Sequence, residues 1–284
     1  MLKQRLLTAA ILLPLFIWAV FALSLSQFAG LIAFFIVIGS WEWTTLMGVN
    51  HLALRIVFSV VIVLMMVLLW SAQHYGYYLA TPLLILSAVW WLIAFYLVLS
   101  YPKKTELWAN RGVSFIIGTI ILVPTWVALV ALKSHESQGG LWVISLFLVI
   151  WAADTGAYFS GRKFGKTKLA ASVSPGKSWE GAIGGLLLVL VVTSILITMT
   201  PAVTQERGGA MIFIIIALLT ALVSILGDLT ESMFKRRVSV KDSGKLLPGH
   251  GGVLDRIDSV TAAAPIFVLS LTFLLDFPFL QQAS

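Results

Sequence analysis

Residues 210–258 read AMIFIIIALLTALVSILGDLTE (210–231), followed without interruption by SMFKRRVSVKDSGKLLPGHGGVLDRID (232–258). The first half is an apolar run long enough to cross a bilayer as a helix, which takes about 20 predominantly apolar residues. The second half gathers Lys235, Arg236, Arg237, Lys241, Asp242, Lys245, Asp255, Arg256 and Asp258 in a chain only 11% charged. An ordinary connecting loop of a membrane protein has no use for such density, so this window handles something charged.

The same apolar pattern recurs on both sides of it. With 60% hydrophobic residues and a mean hydropathy of +1.00, the 284-residue chain reads as a polytopic membrane protein. Breaks at Pro, Gly and charge clusters predict nine spans, at 5–25, 27–47, 53–71, 79–100, 112–132, 141–160, 180–200, 210–231 and 258–276. The runs are continuously apolar rather than alternating, which predicts an all-α bundle in one membrane-embedded unit and excludes a barrel. The first span follows Lys3 and Arg5 but has no convincing cleavage site, so it is expected to be an anchor rather than a secretory signal. With no cysteine, disulfides and thiolate metal sites are excluded.

Of the 19 Lys and Arg residues, all but Lys133 and Arg207 fall on one side of these spans if the N-terminus is cytoplasmic. This bias predicts N-in, C-out topology. The net charge of +7 is then mainly a topology signal, and no nucleic-acid partner is expected, since no soluble basic face with interleaved aromatics is apparent. With this topology Asp154, Lys177, Glu180, Asp228, Glu231, Asp255 and Asp258 gather at the cytoplasmic ends of four spans. Carboxylates at such positions are costly and commonly line a cavity, pair with cations or hold a metal.

Spacing sharpens this reading. Asp228, Ser232 and Lys235 share one face of a helix, placing acid, hydroxyl and amine in a stripe. The glycines around His250 allow positive φ and close backbone approach. Asp255 and Asp258, three apart, can project to one side where the last span begins, and paired carboxylates beside cations suit Mg²⁺ and phosphate. Blander roles are compatible with the same residues: Asp255 as a helix N-cap, Lys235 to Arg237 as topology or lipid-contact charges, and His250 as a structural histidine.

A second polar region, WAADTGAYFSGRKFGKTKLAASVSPGKSWEG (151–181), joins two further spans. Its GRKFGKT string is not a nucleotide P-loop, because only three residues separate Gly161 from Gly165 and a membrane helix, not a strand, precedes it. Lys166, Lys168 and Lys177 beside Ser174 and Ser178 can cradle a polyphosphate, or can be an ordinary basic loop.

The window from Ser232 to Asp258 resembles the signature of phosphatidate cytidylyltransferases, also called CDP-diacylglycerol synthases. It matches S-x-x-K-R-x-x-x-x-K-D-x-G-x-x-x-P-x-H-G-G-x-x-D-R-x-D at each fixed position. DTGAYFSGRKFGKTKL (154–169), SPGKSWEG (174–181) and the N-terminal anchor resemble that family too, whereas residues 48–140 are similar mainly in hydropathy. The resemblance implies transfer of CMP from CTP to phosphatidic acid with Mg²⁺, with or without a second cation, in a bacterial inner membrane with the site facing the cytoplasm. It also implies a homodimer, which hydropathy does not address. On this pattern Asp228 and Asp255 are expected to bind metal. Asp154, Lys166, Ser174, Lys177, Gly251 and Gly252 are expected to serve CTP. Ser232, Lys235, Arg236, Lys241, Asp242, His250, Arg256 and Asp258 are expected to act on the reacting phosphates. A membrane transporter of an anionic substrate is the competing class; it would carry charges nearer the midplane and repeated halves. A CDP-alcohol phosphotransferase would need a D-G-x-x-A-R pattern, which is absent.

Overall fold

The computed structural model describes residues 13–74, 79–135, 138–200, 208–244, 246 and 251–277. Within them the chain runs through α1 (Leu13–Ala22), α2 (Leu25–Leu46), α3 (Leu52–His74), α4 (Ala80–Ser100), the single turn α5 (Glu106–Ala109), α6 (Arg111–Ser134) and α7 (Gly139–Phe164). A hairpin follows, β1 (Lys168–Ala170) and β2 (Ser174–Ser178), and then α8 (Trp179–Met199), α9 (Gly209–Arg237) and α10 (Leu254–Leu274). Eight of these helices are long and apolar enough to cross a membrane, as expected of an all-α polytopic bundle. α1 is the described part of the first expected span.

Local chemistry sets several boundaries. Ser24 ends the first apolar run and opens α2 with a reciprocal capping box to Gln27. Asn110 caps α6 through the Gly112 N–H, and Ser178 caps α8 through the Gly181 N–H. α9 continues to Arg237, past the expected end at 231, since Lys235, Arg236 and Arg237 all find partners on other elements. The hairpin is the departure from an all-helical chain. Lys168 lies opposite Ser178 and Ala170 opposite Ser174, a pairing too short to leave an alternating pattern in the sequence.

α6 lies innermost, with 78% of its apolar window buried against 17% for α3. Within α10, Pro265 has no N–H for the Thr261 carbonyl one turn earlier. The Thr125 hydroxyl of α6, bonded at 2.7 Å to the Ile121 carbonyl of its own helix, reaches that carbonyl as a longer second contact at 3.3 Å.

Two close helix contacts bring the polar ends together. α7 and α8 pack backbone to backbone through small residues: a Cβ at Gly156 would fall 2.5 Å from the Gly184 carbonyl, and one at Gly185 2.6 Å from the Ala153 carbonyl. α9 and α10 meet in the same way at Gly227, where a Cβ would lie 2.5 Å from the Asp258 carbonyl oxygen. One end of the bundle therefore collects the α7–α8 hairpin, the last turns of α9 and the first turns of α10. The Arg237 guanidinium donates to the Ala109 carbonyl and ties the α5 turn to the same end.

Candidate active site

The expected stripe on α9 is present. Ser232 Oγ donates to Asp228 Oδ1 at 3.2 Å, one helical turn apart. Asp228 Oδ2 meets Lys177 Nζ at 2.7 Å, so the hairpin reaches across to α9 and joins the two polar regions. Lys177 also donates to the Ile225 carbonyl at 3.5 Å. Asp154 on α7 lies within electrostatic reach of both Lys177 and Asp228, and Asp258 on α10 feels the same two charges. One ammonium thus stands among three carboxylates.

A second cluster adjoins the first. Lys235 Nζ binds Asp255 Oδ1 at 2.7 Å and Glu231 Oε2 at 3.0 Å, and the Glu231 and Asp258 side chains lie against one another. They line a small cavity with Trp43, Trp91, Thr230 and Thr261. Asp255 Oδ2 takes two backbone donors, Gly252 N at 2.8 Å and Ser243 N at 3.0 Å. Asp255 is therefore no N-cap of its own helix: Val253 occupies that position without a side-chain cap. Gly251 holds φ at +83°, and a Cβ there would lie 2.8 Å from Asp255 Oδ2, so backbone freedom and space both call for glycine.

The remaining sequence-predicted residues fall at different distances from this core. Arg236 donates to the Val173 carbonyl at 3.2 Å and fastens the hairpin to α9. Lys241 and Asp242 are exposed just after α9, and Arg256 is exposed on the first turn of α10; a Cβ at Gly251 would lie 3.4 Å from Asp242 Cβ. Lys166 is exposed, and its backbone N–H, like that of Thr167, is held by Glu180. Ser174 opens β2, where no described contact brings it to the carboxylates. His250, Lys245 and Gly249 lie outside the described residues. Sequence reasoning assigned no role to Glu231, though it stood among the span-end acids, and missed Glu42 on α2 altogether. Glu42 accepts from Leu254 N at 2.7 Å and from Ser243 Oγ at 3.3 Å; its only sequence signal is a lone acid inside an apolar run.

Comparison with known proteins bears on what this cluster does. A family model described as "Cytidylyltransferase family" matches residues 3–274. The chain belongs to the cytidylyltransferase family. It is 46% identical over 271 residues to the phosphatidate cytidylyltransferase of Pseudomonas aeruginosa, covering 95% of this chain and 97% of that one. It is 41% identical over 289 residues to the phosphatidate cytidylyltransferase of Haemophilus influenzae, covering 97% and 100%.

The carboxylate oxygens clustered in this cytidylyltransferase are donors of the kind Mg²⁺ prefers. No group of three or more His, Asp or Glu side chains among the described residues already has the geometry of a metal site. Asp228 is engaged by Lys177 and Ser232. Asp255 uses three acceptor positions on Lys235, Ser243 and Gly252, of the roughly four that a carboxylate offers. The carboxylates fit such an ion in kind, with Asp228 nearer to availability than Asp255.

Proposed function

We propose that this cytidylyltransferase transfers CMP from CTP to phosphatidic acid, giving CDP-diacylglycerol and pyrophosphate. A phosphate oxygen of the lipid bonds to the α-phosphorus of CTP, and the bond from that phosphorus to the β-phosphate bridge breaks, its electron pair leaving with pyrophosphate. The lipid phosphate is largely ionised near neutral pH, phosphate monoesters having a second pKa of about 6, so a strong general base is not needed. The barrier lies in bringing two polyanions together in line and stabilising the leaving charge.

Lys177 and Lys235 suit that task. Each is held in place by carboxylates, so positive charge is preorganised where phosphate oxygens would arrive. Ser232 would turn its one hydroxyl proton from Asp228 Oδ1 to donate to a phosphate oxygen, and Gly251 and Gly252 hold the backbone close around Asp255. A Mg²⁺ ion would be held by Asp228, with Asp154 and Asp258 beside it and Asp255 through its remaining acceptor position, and when bound it would neutralise phosphate charge. The same proposal includes a homodimer in a bacterial inner membrane, with the site at the cytoplasmic face where CTP is available. That orientation rests on the Lys and Arg bias.

The observation that carries the reading is the Lys177–Asp228 pair, which joins the two polar regions at one end of an apolar bundle in a chain of this family. The test is the purified protein in detergent with labelled CTP, phosphatidic acid and Mg²⁺. CDP-diacylglycerol and pyrophosphate are expected in equal amounts, and absence of lipid-dependent pyrophosphate release overturns the proposal.

A further inference from the structure

Glu42 is 4% exposed and belongs to α2, about two hundred residues before the groups it touches. Burying a carboxylate costs several kcal/mol unless strong donors compensate, so packing alone does not account for it. Its Oε2 accepts from Ser243 Oγ, within the segment between α9 and α10, and from the N–H of Leu254, the first residue of α10. Two glycines make room for it. A Cβ at Gly252 would lie 2.6 Å from Oε2, and one at Gly244 would overlap Oε1. Oε1 has no hydrogen-bond partner among the described residues.

The contact supplies something α10 lacks. Val253, its N-cap, makes no side-chain capping bond, so the helix would begin with uncompensated N–H groups. Glu42 takes the N–H of Leu254, the first residue of the helix, and adds negative charge at the positive end of the helix dipole. Asp255 is the next residue, and Ser243, the other partner of Glu42, donates its backbone N–H to Asp255 Oδ2. Asp255 in turn holds Lys235.

We infer that Glu42 is a positioning residue for the reaction: by clamping Ser243 to the start of α10 it fixes Asp255, and through Asp255 the ammonium of Lys235. It touches no reacting atom. This rests on the proposed cytidylyl transfer, and a purely structural cap would affect stability without a selective effect on catalysis.

The experiment uses full-length protein in detergent with CTP, phosphatidic acid and Mg²⁺, comparing wild type, Glu42→Gln, Glu42→Ala, Ser243→Ala and Glu42→Gln/Ser243→Ala. Glu42→Gln keeps the volume and can still accept from Leu254. It is expected to lower kcat by about 10- to 100-fold, the scale found for outer residues that orient ligands, with a higher Mg²⁺ concentration for half-maximal rate and a nearly unchanged thermal midpoint. The double variant is expected to lose less than the product of the two single losses, because both act through one contact. If Glu42→Ala does not fold, the Gln variant and the cycle still decide. Glu42→Gln within about twofold of wild type in kcat and Mg²⁺ requirement, losses that multiply, or a fall in kcat matched by a fall in the folded fraction each overturn the inference. A wild-type protein without activity would instead overturn the proposed reaction.

Discussion

Lys177 Nζ and Asp228 Oδ2 lie 2.7 Å apart, and through them a hairpin between two membrane helices is fastened to a third. Both side chains are partly exposed, at 25% and 34%, so the pair is worth at most about 1 kcal/mol to the fold. In the proposed transfer its use lies elsewhere: the carboxylates around Lys177 would hold the ammonium where phosphate charge is to be neutralised.

Lys177→Met should therefore separate activity from stability. It leaves Asp154, Asp228 and Asp258 without their shared cation, and kcat/KM for CTP is expected to fall by at least about 100-fold, equivalent to about 2.7 kcal/mol of transition-state stabilisation. Thermal unfolding in detergent should move little. Retention of more than a tenth of wild-type kcat/KM would remove Lys177 from the site.

Asp255→Asn keeps shape but loses charge. Lys235 retains Glu231 as a partner, which should leave the protein folded and membrane-inserted while CMP transfer is abolished. Chelation of divalent cations from the wild type should likewise stop turnover, and added Mg²⁺ should restore it. Near wild-type turnover in purified Asp255→Asn would refute the role given to this carboxylate.

Two glycine substitutions should differ sharply. At Gly227 a Cβ would lie 2.5 Å from the Asp258 carbonyl oxygen and 3.0 Å from the Ala262 methyl, so Gly227→Ala must push α9 from α10. A stability loss of about 1–3 kcal/mol is expected from such overpacking, with a larger proportional loss of activity because Asp228 and Asp258 ride on the two helices. Gly30 in α2 has nothing within 4 Å of a Cβ, and Gly30→Ala should be neutral or stabilise by up to about 1 kcal/mol. Thermal midpoints and initial rates of the two variants give the comparison.

Gly251→Ala combines a positive φ with a close carboxylate. The strain is expected to cost about 1–2 kcal/mol, and relief requires Asp255 to move away from Gly252 and Ser243. Activity should drop while the helices stay intact by circular dichroism. Unchanged kinetics would mean that the segment tolerates the shift.

The helices were legible in the sequence because each had to supply its own backbone hydrogen bonds across an apolar layer, which leaves long uninterrupted apolar runs. The Asp228–Ser232 stripe was legible for a similar reason, since helical spacing alone sets it. Asp255 and Asp258 share a helix face as their spacing predicts, yet they take different partners: Asp255 binds Lys235, and Asp258 lies against Glu231. Which cation each acid meets depends on helix packing at Gly227, and no local pattern encodes that. The β1–β2 hairpin reads in the sequence as a loop, either a polyphosphate cradle or an ordinary basic connection, because three- and five-residue strands carry no periodic signal. Glu42 was invisible as a site residue, since all its meaning comes from partners far along the chain.

That separation sets an order of assembly. Leu254 is made 212 residues after Glu42, an interval of roughly 10 to 40 s at 5–20 residues per second. The carboxylate is therefore translated well before its donors exist, and the clamp closes only once Ser243 and Leu254 have been made. A nascent chain arrested before α10 carries Glu42 but neither Leu254 nor Asp255, so the clamp and the carboxylate it fixes arise together, when α10 is made.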